Sequence, residues 1–214
     1  EPPTATDGQL ETYRNIANTG TLSASDPENG TLTYQIVTEP KRGAVELHED
    51  GTFTYTPNEN KVGKDSFTFT VTDDAGQTSS PAKVTIEIKK PSDKRVYADL
   101  TNDDALFTAM WMKEEGLFSG TSIAGNLCFC PDAPVSRGEF LVMAMQVVGA
   151  EADRMELHSG FADESATPVW MQPYIVSALS NGMISGSRYD DQMVFRPNET
   201  LTQAEAAMML QNIL

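Results

Sequence analysis

From Ala5 to Lys89 the apolar residues recur at every second position, in runs separated by short polar punctuation. Leu32-Thr33-Tyr34-Gln35-Ile36, Val45-Glu46-Leu47, Phe53-Thr54-Tyr55, Phe67-Thr68-Phe69-Thr70-Val71 and Val84-Thr85-Ile86-Glu87-Ile88 each place apolar side chains on one side of an extended backbone. Such alternation buries one face and wets the other, which predicts antiparallel strands. Pro27-Glu28-Asn29-Gly30, Pro40-Lys41-Arg42-Gly43, Glu49-Asp50-Gly51, Pro57-Asn58 and Asp74-Ala75-Gly76 supply the turns between them. With weaker strands near Gln9–Arg14 and Gly20–Ala24, the region holds about seven strands, the number expected of an immunoglobulin-like β-sandwich.

At Lys89-Lys90-Pro91-Ser92-Asp93-Lys94-Arg95 the hydrophobic period lengthens from two to that of a helix, and a boundary is placed near residue 91. Beyond it the chain repeats itself. Tyr97-Ala98-Asp99 returns as Phe161-Ala162-Asp163, and Gly116-Leu117-Phe118-Ser119-Gly120 as Gly182-Met183-Ile184-Ser185-Gly186. Phe129-Cys130-Pro131 returns as Phe195-Arg196-Pro197, and Val135-Ser136-Arg137-Gly138-Glu139 as Leu201-Thr202-Gln203-Ala204-Glu205. Ser136 with Glu139, and Thr202 with Glu205, have the spacing of a capping box, in which the hydroxyl accepts from the third helical N–H and the glutamate returns to the cap N–H. Each opens a helix, whose apolar stripe reads Leu141, Ala144, Val147 and Val148 in one copy and Ala206, Met209, Leu210 and Ile213 in the other. An earlier helix in each copy ends before Gly116 or Gly182, and in the second copy it begins after Thr167 or at Gln172. The expected organisation is two-domain, all-β plus all-α: a sandwich over residues 1–90, and tandem helix-loop-helix repeats over 91–150 and 151–214.

Composition narrows the function. The net charge of −16 repels phosphate backbones, so no nucleic-acid partner is expected. No apolar run approaches the roughly 20 residues that span a bilayer, so no membrane insertion is expected, and the start at Glu1-Pro2-Pro3 suits a chain whose leader has been removed. Cys128 and Cys130 are too few for a disulfide framework and lack partners for a four-ligand zinc site, which leaves them as small residues of a loop or short strand. His48 and His158 lie in different domains, and no nucleophile elbow, zinc motif or phosphate loop occurs, so no enzyme and no catalytic residue is expected. The helix methionines Met110, Met112, Met143, Met145, Met208 and Met209 read as core fillers, as does Trp111, while Trp170 suits either core or a sugar platform.

Two resemblances sharpen this picture. Asn29–Tyr34, Asp50-Gly51-Thr52-Phe53-Thr54-Tyr55-Thr56-Pro57-Asn58 and Asp65–Asp73 resemble the bacterial Ig/cadherin-like repeats of large surface adhesins, which implies an extracellular spacer or adhesion module. Some relatives of that family bind calcium between modules, so the resemblance makes Asp26, Glu28, Asp73 and Asp74 candidate oxygen ligands for calcium, the one cofactor considered; the other reading leaves them in solvated turns. The repeated pattern of residues 95–214 resembles the S-layer homology (SLH) repeat, with its aromatic-x-Asp start, Gly-bounded loop, Phe-x-Pro and Thr-Arg-Ala-Glu segment. That resemblance implies a bacterial surface protein held noncovalently to cell-wall polysaccharide, often one bearing pyruvylated sugars, with an arginine engaging the acidic sugar. Carried over, it designates Arg137 as the sugar-binding arginine, Asp99 and Asp163 as the motif aspartates, Gly120 and Gly186 as groove-side glycines, and Trp170 as the aromatic near the first helix. Gln203 stands where a second arginine is expected, and Gly138 where alanine is usual. Arg137 has a second reading, an ion pair with a nearby Asp, and the repeats have one too, as a structural pair that packs on the sandwich or on other surface-protein chains.

Overall fold

The computed structural model describes residues 1–93, 95–100, 103–152 and 158–214. Two compact units divide it, Glu1–Phe129 and Cys130–Leu214.

The first unit is built on nine strands: β1 (Thr4–Thr6), β2 (Gly8–Tyr13), β3 (Asn18–Thr21), β4 (Ser23–Ser25), β5 (Thr33–Thr38), β6 (Gly43–Leu47), β7 (Thr52–Pro57), β8 (Gly63–Thr72) and β9 (Ala82–Lys89). One sheet has the order β2-β9-β8-β5, a second β3-β7-β6, and β1 pairs with β4. Every pairing is antiparallel except β2 on β9. The alternating residues do what their period demands: Phe67, Phe69 and Val71 of β8 and Ala82, Val84, Ile86 and Ile88 of β9 are buried against Phe53 and Tyr55 of β7, with Phe53 edge-on to Phe67 at 5.1 Å. Each such side chain contributes about 1.5–3 kcal/mol on burial. The segment expected as one strand from Gly20 to Ala24 is broken in two, because Leu22 turns into the core and its N–H bonds to Gly51 O at 2.9 Å, letting the chain leave β3 for β4.

Helix α1 (Asp103–Glu114) and the hairpin β10 (Thr121–Ile123) and β11 (Asn126–Cys128) complete this unit. A second, smaller core explains why. Tyr13 and Ile16, at and beyond the end of β2, are buried together with Tyr97, Ala109, Met110 and Leu127, and Tyr13 packs on Phe107 at 5.9 Å. The compact units therefore do not divide where the hydrophobic period changes near residue 91. Helical periodicity marks the end of the strands, whereas the apolar face of α1 finds its partners on the strands before it. Trp111, expected in the core, is 36 % exposed, since Ala109 and Met110 take the inward positions.

The second unit contains α2 (Arg137–Val147), a 3-10 turn (Glu164–Ala166), α3 (Gln172–Ser180), the hairpin β12 (Ser187–Tyr189) and β13 (Gln192–Val194), and α4 (Gln203–Ile213). Leu141, Val142 and Met145 of α2 pack with Ile175 and Ala178 of α3, Met209 of α4, and Phe161, Met171, Ile184 and Phe195 from the connections. The stripe expected on α2 is thus rotated: Val147 and Val148 are exposed, and Val142 and Met145 replace them in the core. Of the helix methionines, Met110, Met145 and Met209 are buried and Met208 is exposed. Cys128 lies in β11, and neither cysteine is in a disulfide.

If the α1 face is part of the sandwich's stability, a chain ending at Lys90 exposes Tyr13 and Ile16 and melts well below a chain ending at Phe129. Losing the buried Met110 contact alone should cost about 2–5 kcal/mol. Urea midpoints of the two fragments measure this, and equal midpoints would contradict it.

Candidate functional site

The two copies of the repeated motif are built by the same contacts. In the first copy Tyr97 is buried, Ala98 N–H donates to Leu127 O at 2.8 Å, and Asp99 Oδ1 accepts from Phe129 N–H at 2.8 Å. In the second, Phe161 is buried, Ala162 N–H donates to Met193 O at 2.8 Å, and Asp163 accepts from Phe195 N–H at 3.0 Å and Arg196 N–H at 2.6 Å. The aspartates are therefore occupied in holding the Phe-x-Pro turns, whose middle residues Cys130 and Arg196 both have φ 59°. Gly120 and Gly186 sit in matching places with φ of 75° and 71°. A Cβ at Gly120 would lie 2.5 Å from Cys128 O and 2.6 Å from the Tyr97 ring, and one at Gly186 would overlap the Phe161 ring. Both glycines are required by the close approach of the hairpin to the aromatic of the motif.

Both capping boxes form as their spacing predicts. Ser136 N–H donates to Glu139 Oε2 and Thr202 N–H to Glu205 Oε2, each at 3.0 Å, while the cap hydroxyls accept from the N–H of Glu139 and Glu205, each at 3.3 Å. Capping satisfies only part of a helix N-terminus, and the sequence leaves the remaining donors of α2 free for an anion. In the structure the turn of the second copy takes them: Arg137 N–H donates to Glu199 O and Gly138 N–H to Pro197 O, each at 2.9 Å.

The Arg137 side chain follows its backbone inward and is 7 % exposed. Its Nη1 lies 2.6 Å from Glu205 Oε1, its Nε donates to Phe195 O at 2.9 Å, and its guanidinium stands 5.3 Å over the Phe195 ring. In place of the ion pair with a nearby Asp anticipated as an alternative role, Arg137 makes a buried pair with a glutamate of the second copy. Glu205 serves two ends, capping α4 with one oxygen and neutralising Arg137 with the other. Arg196 stands beside them, with Nη2 at 3.9 Å from Glu205 Oε1, Nη1 at 3.1 Å from Glu199 and a buried Nε that finds no partner among the described residues. Nothing in the sequence pattern selects Arg196, because its contribution depends on the left-handed turn that aims it back at α4. Gly138, which stands where alanine is usual, is a packing requirement: a Cβ there would overlap Met171 Sδ.

Among the other designated residues, Gln203 is exposed at the first turn of α4 and Trp170 is 57 % exposed in the turn before α3, so Trp170 is not a core residue. Asp99 and Gly120 belong to the first unit and Arg137, Asp163, Trp170, Gly186 and Gln203 to the second.

The candidate calcium residues are dominated by turn chemistry. Asp26 accepts from the N–H groups of Glu28 and Gly30, and Asp73 Oδ1 accepts from Gln77 N–H at 2.7 Å. Asp26 and Asp74 flank Gly30 closely, at 2.8 and 2.9 Å from the position of its absent Cβ, and Asp73 Oδ2 is buried without a partner among the described residues. Among the described residues no group of three or more Asp, Glu, His or Cys side chains is arranged to hold a metal ion.

Residues 1–90 match the bacterial cadherin-like domain family. The chain is 32 % identical over 119 residues to the Surface-layer 125 kDa protein of Lysinibacillus sphaericus, an alignment that spans 54 % of this chain and 9 % of that protein. Among solved structures it is similar to the SrpA adhesin of Streptococcus sanguinis (22 % identity, TM-score 0.36, 47 % of this chain and 64 % of that one). It is also similar to Drosophila N-cadherin (12 % identity, TM-score 0.33, 42 % of this chain and 34 % of that one). Likenesses of this size do not fix a fold, and the sandwich stands on its own strand pairing. No helix among the described residues is long and apolar enough to cross a membrane.

The hydrogen bonds from Thr202 backbone and hydroxyl, followed by the charges of Arg137 and Arg196, outweigh burial and hold the Glu205 carboxyl below its usual range. A depressed carboxyl contributes stability that is fully present above its unfolded value, about 4.3, and is lost as pH falls through the lower folded value. The melting temperature of the wild-type chain should thus drop as pH is lowered from 5 to 3 by more than that of Glu205→Gln, measured by thermal scans across that interval. Parallel pH profiles for the two proteins would contradict the role given to Glu205.

Proposed function

We propose that the chain is a noncatalytic part of an extracellular bacterial surface protein, in which the cadherin-like sandwich is a spacer or adhesion module and the C-terminal repeats, SLH-like in design, hold the protein to cell-wall polysaccharide. The observation that carries the reading is the duplicated unit of buried aromatic, turn-holding aspartate, obligatory glycine and capped helix, in a chain similar to a surface-layer protein. The sandwich supports the same setting through its match to bacterial cadherin-like domains.

Arg137 takes part in this reading as a brace. A guanidinium that is already neutralised by Glu205 and covered by Phe195 would have to break a buried pair to reach a sugar. The saccharide-facing groups under this proposal are the ones left exposed, Trp170 as a stacking platform and Gln203 as a neutral hydrogen-bonding side chain. The burial of Arg137 also favours a second reading, in which the pair of repeats is purely structural and meets other surface-protein chains in place of wall polymer.

Co-sedimentation with purified bacterial sacculi separates the two. The wall-anchor reading expects retention by intact sacculi, loss of retention once the secondary polymer is stripped, and at least a several-fold loss for Trp170→Ala with an unchanged melting temperature. Equal sedimentation with and without the polymer would reject wall anchoring and leave the structural reading.

A further inference from the structure

The sandwich carries a concentration of positive charge that neither the repeats nor the cadherin-like match accounts for. Lys41, Arg42, Lys64 and Lys83 line an open cavity of about 320 Å³, together with Asp65, Ser66 and Thr85. The chain as a whole has 31 acidic residues against 15 basic ones, so opposite charges are plentiful. Lys89, Lys113 and Arg137 each find a carboxylate. Among the described residues, Lys41, Lys64 and Lys83 form no ion pair, and the Arg42 guanidinium donates to the carbonyl of Val62 at 3.3 Å. Lys41, Arg42, Lys64 and Lys83 thus outnumber Asp65, the one carboxylate of the lining, and gathering like charges in excess costs electrostatic energy that surface stability alone does not ask for.

The cluster is also built. Asp65 accepts from the N–H groups of Lys41 at 3.0 Å and Arg42 at 2.7 Å, and from the Tyr55 hydroxyl at 2.8 Å. Burial works against its charge, but these donors outweigh burial and keep the carboxyl ionised below the usual range. Asn58 N–H donates to Arg42 O at 2.7 Å, and a Cβ at Gly43 would lie 2.6 Å from Thr56 O, so the turn from Pro40 to Gly43 is fixed against β7. On the sheet, Ser66 pairs with Thr85 and Thr68 with Lys83, which sets Lys64, Ser66, Lys83 and Thr85 on one outward face. Besides Asp65 in the lining, Glu87 stands opposite Lys64 in the register and Asp7 accepts from Lys83 N–H.

The lining selects among anions. β8 and β9 are the two inner strands of their sheet, so their backbone groups are paired and a peptide strand cannot add there. No aromatic or aliphatic side chain lines the cavity, which leaves nothing to grip an apolar peptide residue. What it offers is ammonium, guanidinium and two hydroxyls beside the Asp65 carboxylate, whose oxygens are taken up by the Lys41 and Arg42 N–H groups and the Tyr55 hydroxyl, in a volume at the small end of ligand pockets. A compact, hydroxyl-rich anion fits that set, because its charge meets the cations and its hydroxyls meet Ser66 and Thr85.

We propose that this cavity binds an acidic saccharide unit, one carrying a carboxylate or sulfate, and that the sandwich therefore holds a glycan site of its own. The site is independent of whether the C-terminal repeats hold wall polymer.

Titration of the 214-residue chain with trigalacturonate, followed by amide chemical shifts and by calorimetry, tests it. Shift changes should centre on Lys41, Lys64, Ser66, Lys83 and Thr85. Lys64→Gln/Lys83→Gln should bind at least tenfold more weakly with an unchanged melting temperature, while Lys61→Gln/Lys90→Gln, away from the cavity, should bind as wild type. A sulfated trisaccharide should perturb the same amides, which separates sulfate from carboxylate preference by its relative affinity. The proposal is overturned if millimolar trigalacturonate leaves these amides unmoved, or if the Lys64→Gln/Lys83→Gln protein binds as wild type. Equal binding of neutral maltotriose would remove the charge requirement and overturn it as well, and equal binding of a hexaglutamate peptide would reassign the cavity to an acidic protein surface.

Discussion

A buried guanidinium has to be neutralised where it sits, and the second unit is arranged around meeting that demand at Arg137. Glu205 supplies the charge and Phe195 both a carbonyl and a ring face. Those two groups are in place only because other parts of the motif put them there. Asp163 holds the Phe-x-Pro turn through the N–H groups of Phe195 and Arg196, which sets the Phe195, Pro197 and Glu199 carbonyls toward the start of α2. Gly138 lets Met171 come against the helix beside them. Residues that look like a ligand set in the sequence are thus, for the most part, one connected scaffold in which each member satisfies another.

The same features explain which parts of the structure were legible in the sequence. Strands β5 to β9 follow from strict alternation, since a period of two has only one way to bury its apolar members. Both capping boxes follow from the spacing of hydroxyl and glutamate, because the chemistry is local. The edge strand β1, the split at Leu22 and the short hairpins after α1 and α3 were not read, as each depends on a distant partner strand or a left-handed turn. Packing was legible in kind but not in orientation: Leu141 and Ala144 of α2 are buried as expected, yet Val142 and Met145 face inward where Val147 and Val148 were anticipated. The place of α1 was missed for a related reason, since its partners Tyr13 and Ile16 lie far back in the chain.

The candidate site was legible as a pattern and not as a function. The sequence designates Arg137, Asp163 and Gly186 for sugar binding, but residue type and spacing do not reveal whether a cation faces solvent or a neighbouring carboxylate. Arg196, which completes the charge cluster at Glu205, lay inside a motif and was passed over because its φ of 59° has no signature in an arginine. Under the proposed function, recognition moves away from this scaffold to exposed groups: Trp170 on the second unit, and the basic cavity on the outward face of the sandwich. A surface protein with a braced repeat pair and a separate glycan site would keep its stability and its binding chemistry on different residues.

The central claim is that Arg137 and Glu205 act as one structural unit, and a double-mutant cycle on thermal stability tests it most directly. If they do, Arg137→Ala and Glu205→Ala each lower the melting temperature, and the double variant falls little further than the worse single one, because removing either partner already strands the other. Additive losses in the double variant, or an Arg137→Ala protein that melts like wild type, would contradict the account.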